Sequence, residues 1–248
     1  MLPAERRRSM EDAVRSGMTE VGQLAARFKV SEMTVRRDLQ ELQGAGRIER
    51  VRGGAVPAQP ERPFTQTVVE RLAEKERIGA AAAALVQDGQ TVMIDVGTTA
   101  LQAARGLRDH EITVITTNLA VYEELLSAEA VTLVLPGGQV RRNYRSLVGF
   151  IAEETLRTMS ADIAFLGASG IDRRLTIRDS TIVEVPIKRA MLAAAHRTVL
   201  LADAAKFTTS GFVSICEARD LDTVVTDTGV PDASRRALEA AGVEVIVA

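Results

Sequence analysis

The sequence predicts an α/β protein in two parts: a small helical head that ends in a β hairpin, and a larger domain built on a mostly parallel sheet. Three observations carry that expectation. Apolar residues in the first 42 positions recur at the period of short helices. The stretch "VPAQPERPFTQ" then breaks the pattern with Pro57, Pro60 and Pro63. Beyond it, strand-like runs alternate with helical ones, the order of a parallel sheet with covering helices. A length of 248 residues suits one domain of about 200 residues with a small appendage. The expected boundaries are a head over 1–56, an extended hinge over 57–72 and a body over 73–248.

Composition narrows the class. Hydrophobic residues make up 46% of the chain and charged ones 26%, enough apolar material for a sizeable core. The longest apolar runs, such as "TVMIDV" and "RTVLLA", fall far short of the roughly 20 residues that span a bilayer. "MLPAERRRSM" lacks the apolar centre of a signal peptide, so a cytoplasmic protein with no membrane partner is expected. Cys216 is the sole cysteine, which excludes an internal disulfide and places it in the core of the strand "FVSIC". His110 and His196 stand too far apart for metal-ligand spacing, and neither metal nor cofactor is expected. Charge is uneven. Residues 1–54 hold 11 Lys and Arg against 8 Asp and Glu, while the remainder carries a net −5. A positive head on an acidic body suits a polyanion partner.

The head can be justified element by element. In "TEVGQLAARFKV", Thr19 is placed to cap a helix whose Val21, Leu24, Ala25 and Phe28 share one face. Lys29 and Val30 make a turn. Ser31 then caps a second helix, with Val35, Leu39 and Leu42 inward. Its opposite face holds Met33, Arg37 and Gln40, flanked by Thr34, with Arg36 to one side. In a major groove Arg37 would meet base edges and Arg36 a phosphate. "GAGRIERVRGGAV" follows as a short strand pair with Gly53 and Gly54 for a tight return, a wing made basic by Arg50 and Arg52. Periodicity over 19–42 also fits a plain two-helix cap with a solvated face; the wing and the outward arginines favour the DNA reading.

In the body, ligands of an open α/β sheet collect at the carboxyl ends of strands, where helix amino termini offer unpaired N–H groups. "MIDVGTTALQAARGL" has that form: a strand to Val96, a loop of Gly97, Thr98 and Thr99, then a helix to about Leu107. Gly97 permits close backbone approach and the threonines add hydroxyl donors. Asp95 repels phosphate, so it would bind a sugar hydroxyl or orient the loop. A simple capped turn explains the same residues. Similar loops recur at "TTN", "PGGQVRR", "GASGID" and "DAAKF", each after a strand. Glu184 and Lys188 are spaced i, i+4 around a helix begun by Pro186, which reads equally as a surface ion pair.

From about Glu5 to Asp227 the chain resembles the DeoR family (DeoR/GlpR type) of bacterial transcription regulators. In the head the resemblance rests on Val30, Ser31, Thr34, Arg36, Arg37, Asp38, Gly53 and Gly54. A methionine and an aspartate in "ERRRSMEDAVRSGM" replace aliphatics usual in the family's first helix, and "IDRRLTIRDS" lacks the glycine usual after its "GID" turn. The resemblance implies a winged helix-turn-helix on operator DNA and a body like ribose-5-phosphate isomerase that binds a phosphorylated sugar. Carried over by motif, the phosphate loop is Asp95, Gly97, Thr98 and Thr99. Pocket positions are Thr117, Asn118, Gly137, Gly138, Arg141, Glu184, Lys188, Asp203 and Lys206. The reading is a non-enzymatic repressor of carbohydrate genes, working as a homodimer or homotetramer because one head covers one half-site. A sugar-phosphate isomerase with a structural head is the alternative. A general nucleic-acid binder is a third reading, and no tryptophan, two tyrosines and 3% aromatics weaken its single-strand form.

Overall fold

The computed structural model describes residues 2–248 except 45–46, 52, 58–61 and 210, and only the backbone of 15, 44, 49–51, 56 and 57. Contacts divide the chain into two units, 1–61 and 62–248. Among the described residues no helix is long and apolar enough to cross a membrane.

The first unit holds α1 (Pro3–Arg15), α2 (Val21–Phe28), α3 (Glu32–Gly44), β1 (Ile48–Val51) and β2 (Gly54–Pro57). Proline in the first turn of α1 spends an N–H that would be unpaired there anyway. Lys29 takes the left-handed conformation, φ 52°, between α2 and α3, and the Ser31 hydroxyl accepts from the Thr34 N–H at 3.2 Å to open α3. Residue 20, not Thr19, holds the cap position of α2. Thr19 serves the wing instead, its carbonyl accepting from the Ala55 N–H at 2.7 Å. Met10, Val14, Leu24, Leu39 and Ile48 are buried together. Met10 therefore does the work of the aliphatic it replaces, and Asp12 is exposed. The wing is antiparallel, Val51 opposite Gly54. Its two glycines have different causes: Gly53 sits at φ 87°, and a Cβ on Gly54 would stand 1.8 Å from the Thr19 carbonyl.

The second unit begins inside the expected hinge. Pro57 already belongs to β2, and residues 58–61 lie outside the described residues. The prolines misled at 62–72, because α4 (Phe64–Thr67) is a helical turn and Phe64 is buried. The Phe64 N–H donates to the Asn143 carbonyl at 3.0 Å and its ring meets Tyr144 edge-on at 5.8 Å. Burying an aromatic of this size outweighs the local preference for extended backbone.

After α5 (Leu72–Ala83) come β3 (Thr91–Ile94), α6 (Thr98–Gly106), β4 (Ile112–Thr116), α7 (Leu119–Leu125) and β5 (Val131–Val134). A hairpin of β6 (Gln139–Arg141) and β7 (Ser146–Val148) leads into α8 (Phe150–Arg157) and β8 (Ala161–Leu166). Next are β9 (Gly170–Ile171), β10 (Thr176–Asp179), α9 (Val185–Ala194) and β11 (Ala195–Leu201). The chain closes with β12 (Val213–Glu217), β13 (Thr223–Thr226), α10 (Asp232–Ala240) and β14 (Glu244–Val247).

Seven strands form one parallel sheet in the order β14-β13-β11-β8-β3-β4-β5. Alternation along each strand feeds two cores. Val92, Ile94, Phe165 and Val199 join one with α5 and α6 residues, while Met93, Ala164, Leu200 and Val224 join the other with α8 and α9 residues. β12, β10 and β9 form a small antiparallel sheet. The sequence runs from β3 outward to β5, then returns to place β8 on the other side of β3. Strand order therefore reverses between β3 and β8, which opens a crevice at their carboxyl ends.

Candidate functional site

That crevice is lined by charge. Asp95, immediately after β3, is fully buried and accepts from the Gly167 N–H after β8 at 2.9 Å. Lys188 on α9, also buried, pairs with Asp95, lies 3.6 Å from Asp179 and donates to the Gly167 carbonyl at 3.1 Å. Burial raises the Asp95 carboxyl while Lys188 draws it back down. For Lys188 burial lowers the pKa, but Asp95 and Asp179 more than offset this and hold the ammonium above its ordinary value.

Glu184 is the second buried carboxylate. The Ser146 hydroxyl donates to it at 2.6 Å and Arg141 pairs with it, which fixes the β6–β7 hairpin beside the crevice. Burial raises its carboxyl against the pull of Ser146 and Arg141. The i, i+4 spacing of Glu184 and Lys188 is thus no surface ion pair: each is 2% exposed and each is bonded elsewhere. Three buried oxygens here, Asp95 Oδ1, Thr117 Oγ1 and Glu184 Oε2, have no hydrogen-bond partner among the described residues. Unpaired buried acceptors cost free energy, and their gathering in one crevice calls for a polar ligand or water.

Asn118 organises the loops. Its Oδ1 caps α7 through the Ala120 and Val121 N–H groups, and its Nδ2 donates to the Asp95 and Gly97 carbonyls, both at 3.3 Å. Gly97 adopts φ 139° ahead of α6, and no side chain caps that helix. The first-turn N–H groups of α6, with buried Thr98 and half-buried Thr99, are consequently left to an anion or water. Gly138 is held by packing: a Cβ there would stand 2.9 Å from the Val148 carbonyl and 3.1 Å from Ala152. Gly137 is exposed beside Ile151.

Asp203 and Lys206 follow β11 in a neighbouring cluster. Asp203 accepts from the Ala205 N–H at 2.9 Å and pairs with Arg71 at 3.2 Å. Arg71 also reaches Asp227 at 3.4 Å. Buried Lys75 donates to the Thr67 carbonyl at 2.6 Å, its pKa lowered by burial against the opposing pull of Asp203. Lys206 is half-buried. The structure thus brings Asp95, Gly97, Thr117, Asn118, Arg141, Glu184 and Lys188 around the ends of β3, β4 and β8. Sequence reasoning missed Ser146, Asp179, Arg71, Lys75 and Asp227. Asp179 had a signal, an acidic residue in "TIRDS" after a strand-like alternation; the others had none outside the tertiary fold.

On the first unit, Ser31, Met33, Arg36, Arg37 and Gln40 are exposed and Thr34 is half-buried. Met33 is 73% exposed, unusual for so large an apolar side chain. Arg36 pairs with Glu32 at 2.7 Å, both half open to water, which is a weak and exchangeable bond. Asp38 faces inward and pairs with Arg6 at 2.6 Å, tying α3 to α1. The Arg50 side chain and the whole of Arg52 lie outside the described residues.

Comparison with known proteins matches residues 6–61 to the DeoR-like helix-turn-helix domain and residues 70–228 to the DeoR C terminal sensor domain. The HTH-type transcriptional regulator GlpR of Haloferax volcanii is 34% identical over 251 residues, covering 99% of this chain and 98% of that protein. The glycerol-3-phosphate regulon repressor of Escherichia coli is 31% identical over 218 residues, covering 87% and 86%. Among solved structures, ribose 5-phosphate isomerase A from Methanocaldococcus jannaschii overlaps 54% of this chain and 53% of its own, with 20% identity and a TM-score of 0.40.

Proposed function

Because this chain belongs to the DeoR family of transcriptional regulators, we propose that it is a DNA-binding repressor of carbohydrate genes whose body senses a phosphorylated sugar without transforming it. The observation that carries the proposal is the crevice at β3 and β8. It combines a helix amino end without a side-chain cap with three buried, unpartnered acceptor oxygens. The first suits a phosphate and the second suits sugar hydroxyls. Phosphate lies against Thr98 and Thr99, and the hydroxyls donate to Asp95, Thr117 and Glu184. Arg37 and Gln40 read base edges, Arg36 holds phosphate, and the wing arginines Arg50 and Arg52 add backbone contacts. One head covers a half-site, so a homodimer or homotetramer occupies the operator.

How the carboxylates are held supports sensing over turnover. Asp95 is locked by Lys188 and Glu184 by Arg141 and Ser146, so each is fixed as an acceptor instead of poised as a base. Metabolite shifts operator affinity only as far as it binds the free and DNA-bound forms unequally, and the coupling is reciprocal. Calorimetry with a panel of sugar phosphates and the matching free sugars tests this. One phosphate ester should bind and its free sugar should not, and Thr98→Ala should weaken the ester by about 1–3 kcal/mol for the lost charged hydrogen bond. Equal binding of ester and free sugar would reject the anion loop.

A further inference from the structure

The chain that comes from the head enters the body at residue 62, and Phe64, two residues on, is buried there. Three consecutive residues of the β6–β7 turn hold it. The Asn143 carbonyl accepts from the Phe64 N–H at 3.0 Å, the Tyr144 ring meets the Phe64 ring edge-on at 5.8 Å, and the Arg145 guanidinium lies 6.0 Å over that ring. Arg145 sits in the left-handed region at φ 56°, a disfavoured conformation for a residue with a side chain, so the turn keeps its shape through the neighbours that hold it.

The rest of the same hairpin is built into the sensing crevice. Arg141 and Ser146 bracket the turn and face each other across the two strands, and both bind Glu184 Oε1. The loop after β4 holds the hairpin from its other side. There the Leu119 N–H donates to the Arg145 carbonyl at 2.8 Å, the Leu147 N–H donates to the Thr117 carbonyl at 2.9 Å, and Asn118 bridges to Ser146. Arg145 thus touches Phe64 with its side chain and the crevice loop with its backbone. Glu184 Oε2 and Thr117 Oγ1 are the unpaired acceptors on this side of the crevice. A hydroxyl that fills them acts on the residues that hold the hairpin, and only residues 142–145 separate Arg141 from Ser146. The later part of the entering segment is tied elsewhere: the Thr67 carbonyl to Lys75, and Arg71 to Asp203 and Asp227.

We propose that the β6–β7 hairpin couples the sensing crevice to the segment that leads to the head. A crevice filled at Glu184 and Thr117 steadies the hairpin and keeps Phe64 seated, whereas loss of the Glu184 contacts frees the hairpin and releases Phe64. Coupling of this kind is reciprocal, so loosening Phe64 must also loosen the crevice loop. The link inside the body stands on these contacts alone; its effect on operator binding rests on the proposed function.

Amide hydrogen exchange on the full chain, without DNA or metabolite, reads the link in both directions and is separate from the calorimetry that tests the sensor. The Phe64 N–H reports the seat, the Leu119 and Leu147 N–H groups report the crevice side, and the amides of β13, a strand outside these contacts, are the control. Ser146→Ala should speed exchange at Phe64 at least about tenfold, and Phe64→Leu should speed it at Leu119 and Leu147 by a similar factor, with β13 unchanged. Tyr144→Leu, which alters the turn without stranding a buried charge, replaces either variant that does not fold and should speed exchange on both sides. Unaltered exchange at Phe64 in Ser146→Ala, unaltered exchange at Leu119 and Leu147 in Phe64→Leu, one-sided exchange in Tyr144→Leu, or equal acceleration in β13 would each overturn the proposal.

Discussion

At Lys188, burial and charge act against each other, and the charge wins because two carboxylates and a carbonyl surround one ammonium. Removing it strands Asp95 in a buried site. Lys188→Met should destabilise the body by about 3–5 kcal/mol, and Lys188→Met with Asp95→Asn should recover most of that, because the loss comes from the uncompensated charge. Urea denaturation of the two variants decides it; equal losses would mean that the pair matters by packing. Asp38 gives the same lesson in the head. It lies in the helix proposed to read DNA, yet it is buried against Arg6, so Asp38→Ala should lower the stability of the head before it alters base preference. Arg37→Ala, by contrast, should cost about 1–3 kcal/mol on the preferred site and flatten sequence preference, while Arg36→Ala should weaken all duplexes alike. Titrations on specific and random DNA separate the two, and equal losses for both variants on both duplexes would refute the assignment.

Among elements, the β4–α7 junction shows how one side chain ties two loops of the site together. Asn118 caps α7 and ties the loops after β3 and β4, so Asn118→Ala should cost about 1–2 kcal/mol from the cap and loosen Gly97 with it. Melting temperature checks the first effect and metabolite affinity the second. The β9–β10 turn carries a pH signature. Burial would raise the Asp172 carboxyl, but Arg178 and the Thr176 and Arg174 N–H groups outweigh it and leave the pKa at about 2. A carboxylate depressed on folding stabilises above its unfolded pKa. The contribution should therefore be full above about pH 4 and lost as the pH falls through about 2. Asp172→Asn should remove that slope, as pH-dependent melting would record. This segment departs from the family's pattern by lacking a glycine after the turn, and Leu175 occupies the left-handed region there at φ 59°.

For the whole molecule the deciding measurement joins its two units. Protein incubated with its best sugar phosphate should return that compound unchanged and should shift operator affinity in proportion to occupancy; multiple turnover lost in Glu184→Gln, without effect on DNA, would favour the isomerase instead. Much of the design was legible in the chain itself. The helical period of residues 19–42, Ser31 at the head of α3, the double glycine of the wing and the alternation of strands and helices are all set by local sterics and hydrophobic periodicity. A sequence states such rules directly. Phe64 was not legible, because its prolines speak for extended backbone and only the distant Tyr144 ring gives it a reason to turn. Nor was the interior of the crevice. Residues 95, 141, 146, 179 and 188 come together only when β8 returns beside β3, and burial then converts what spacing describes as a surface ion pair into two buried charges with separate partners. Sequence fixes which groups can ionise or donate, whereas dielectric and partner are properties of the packed neighbourhood, so the tertiary structure alone decided which oxygens were left unpaired.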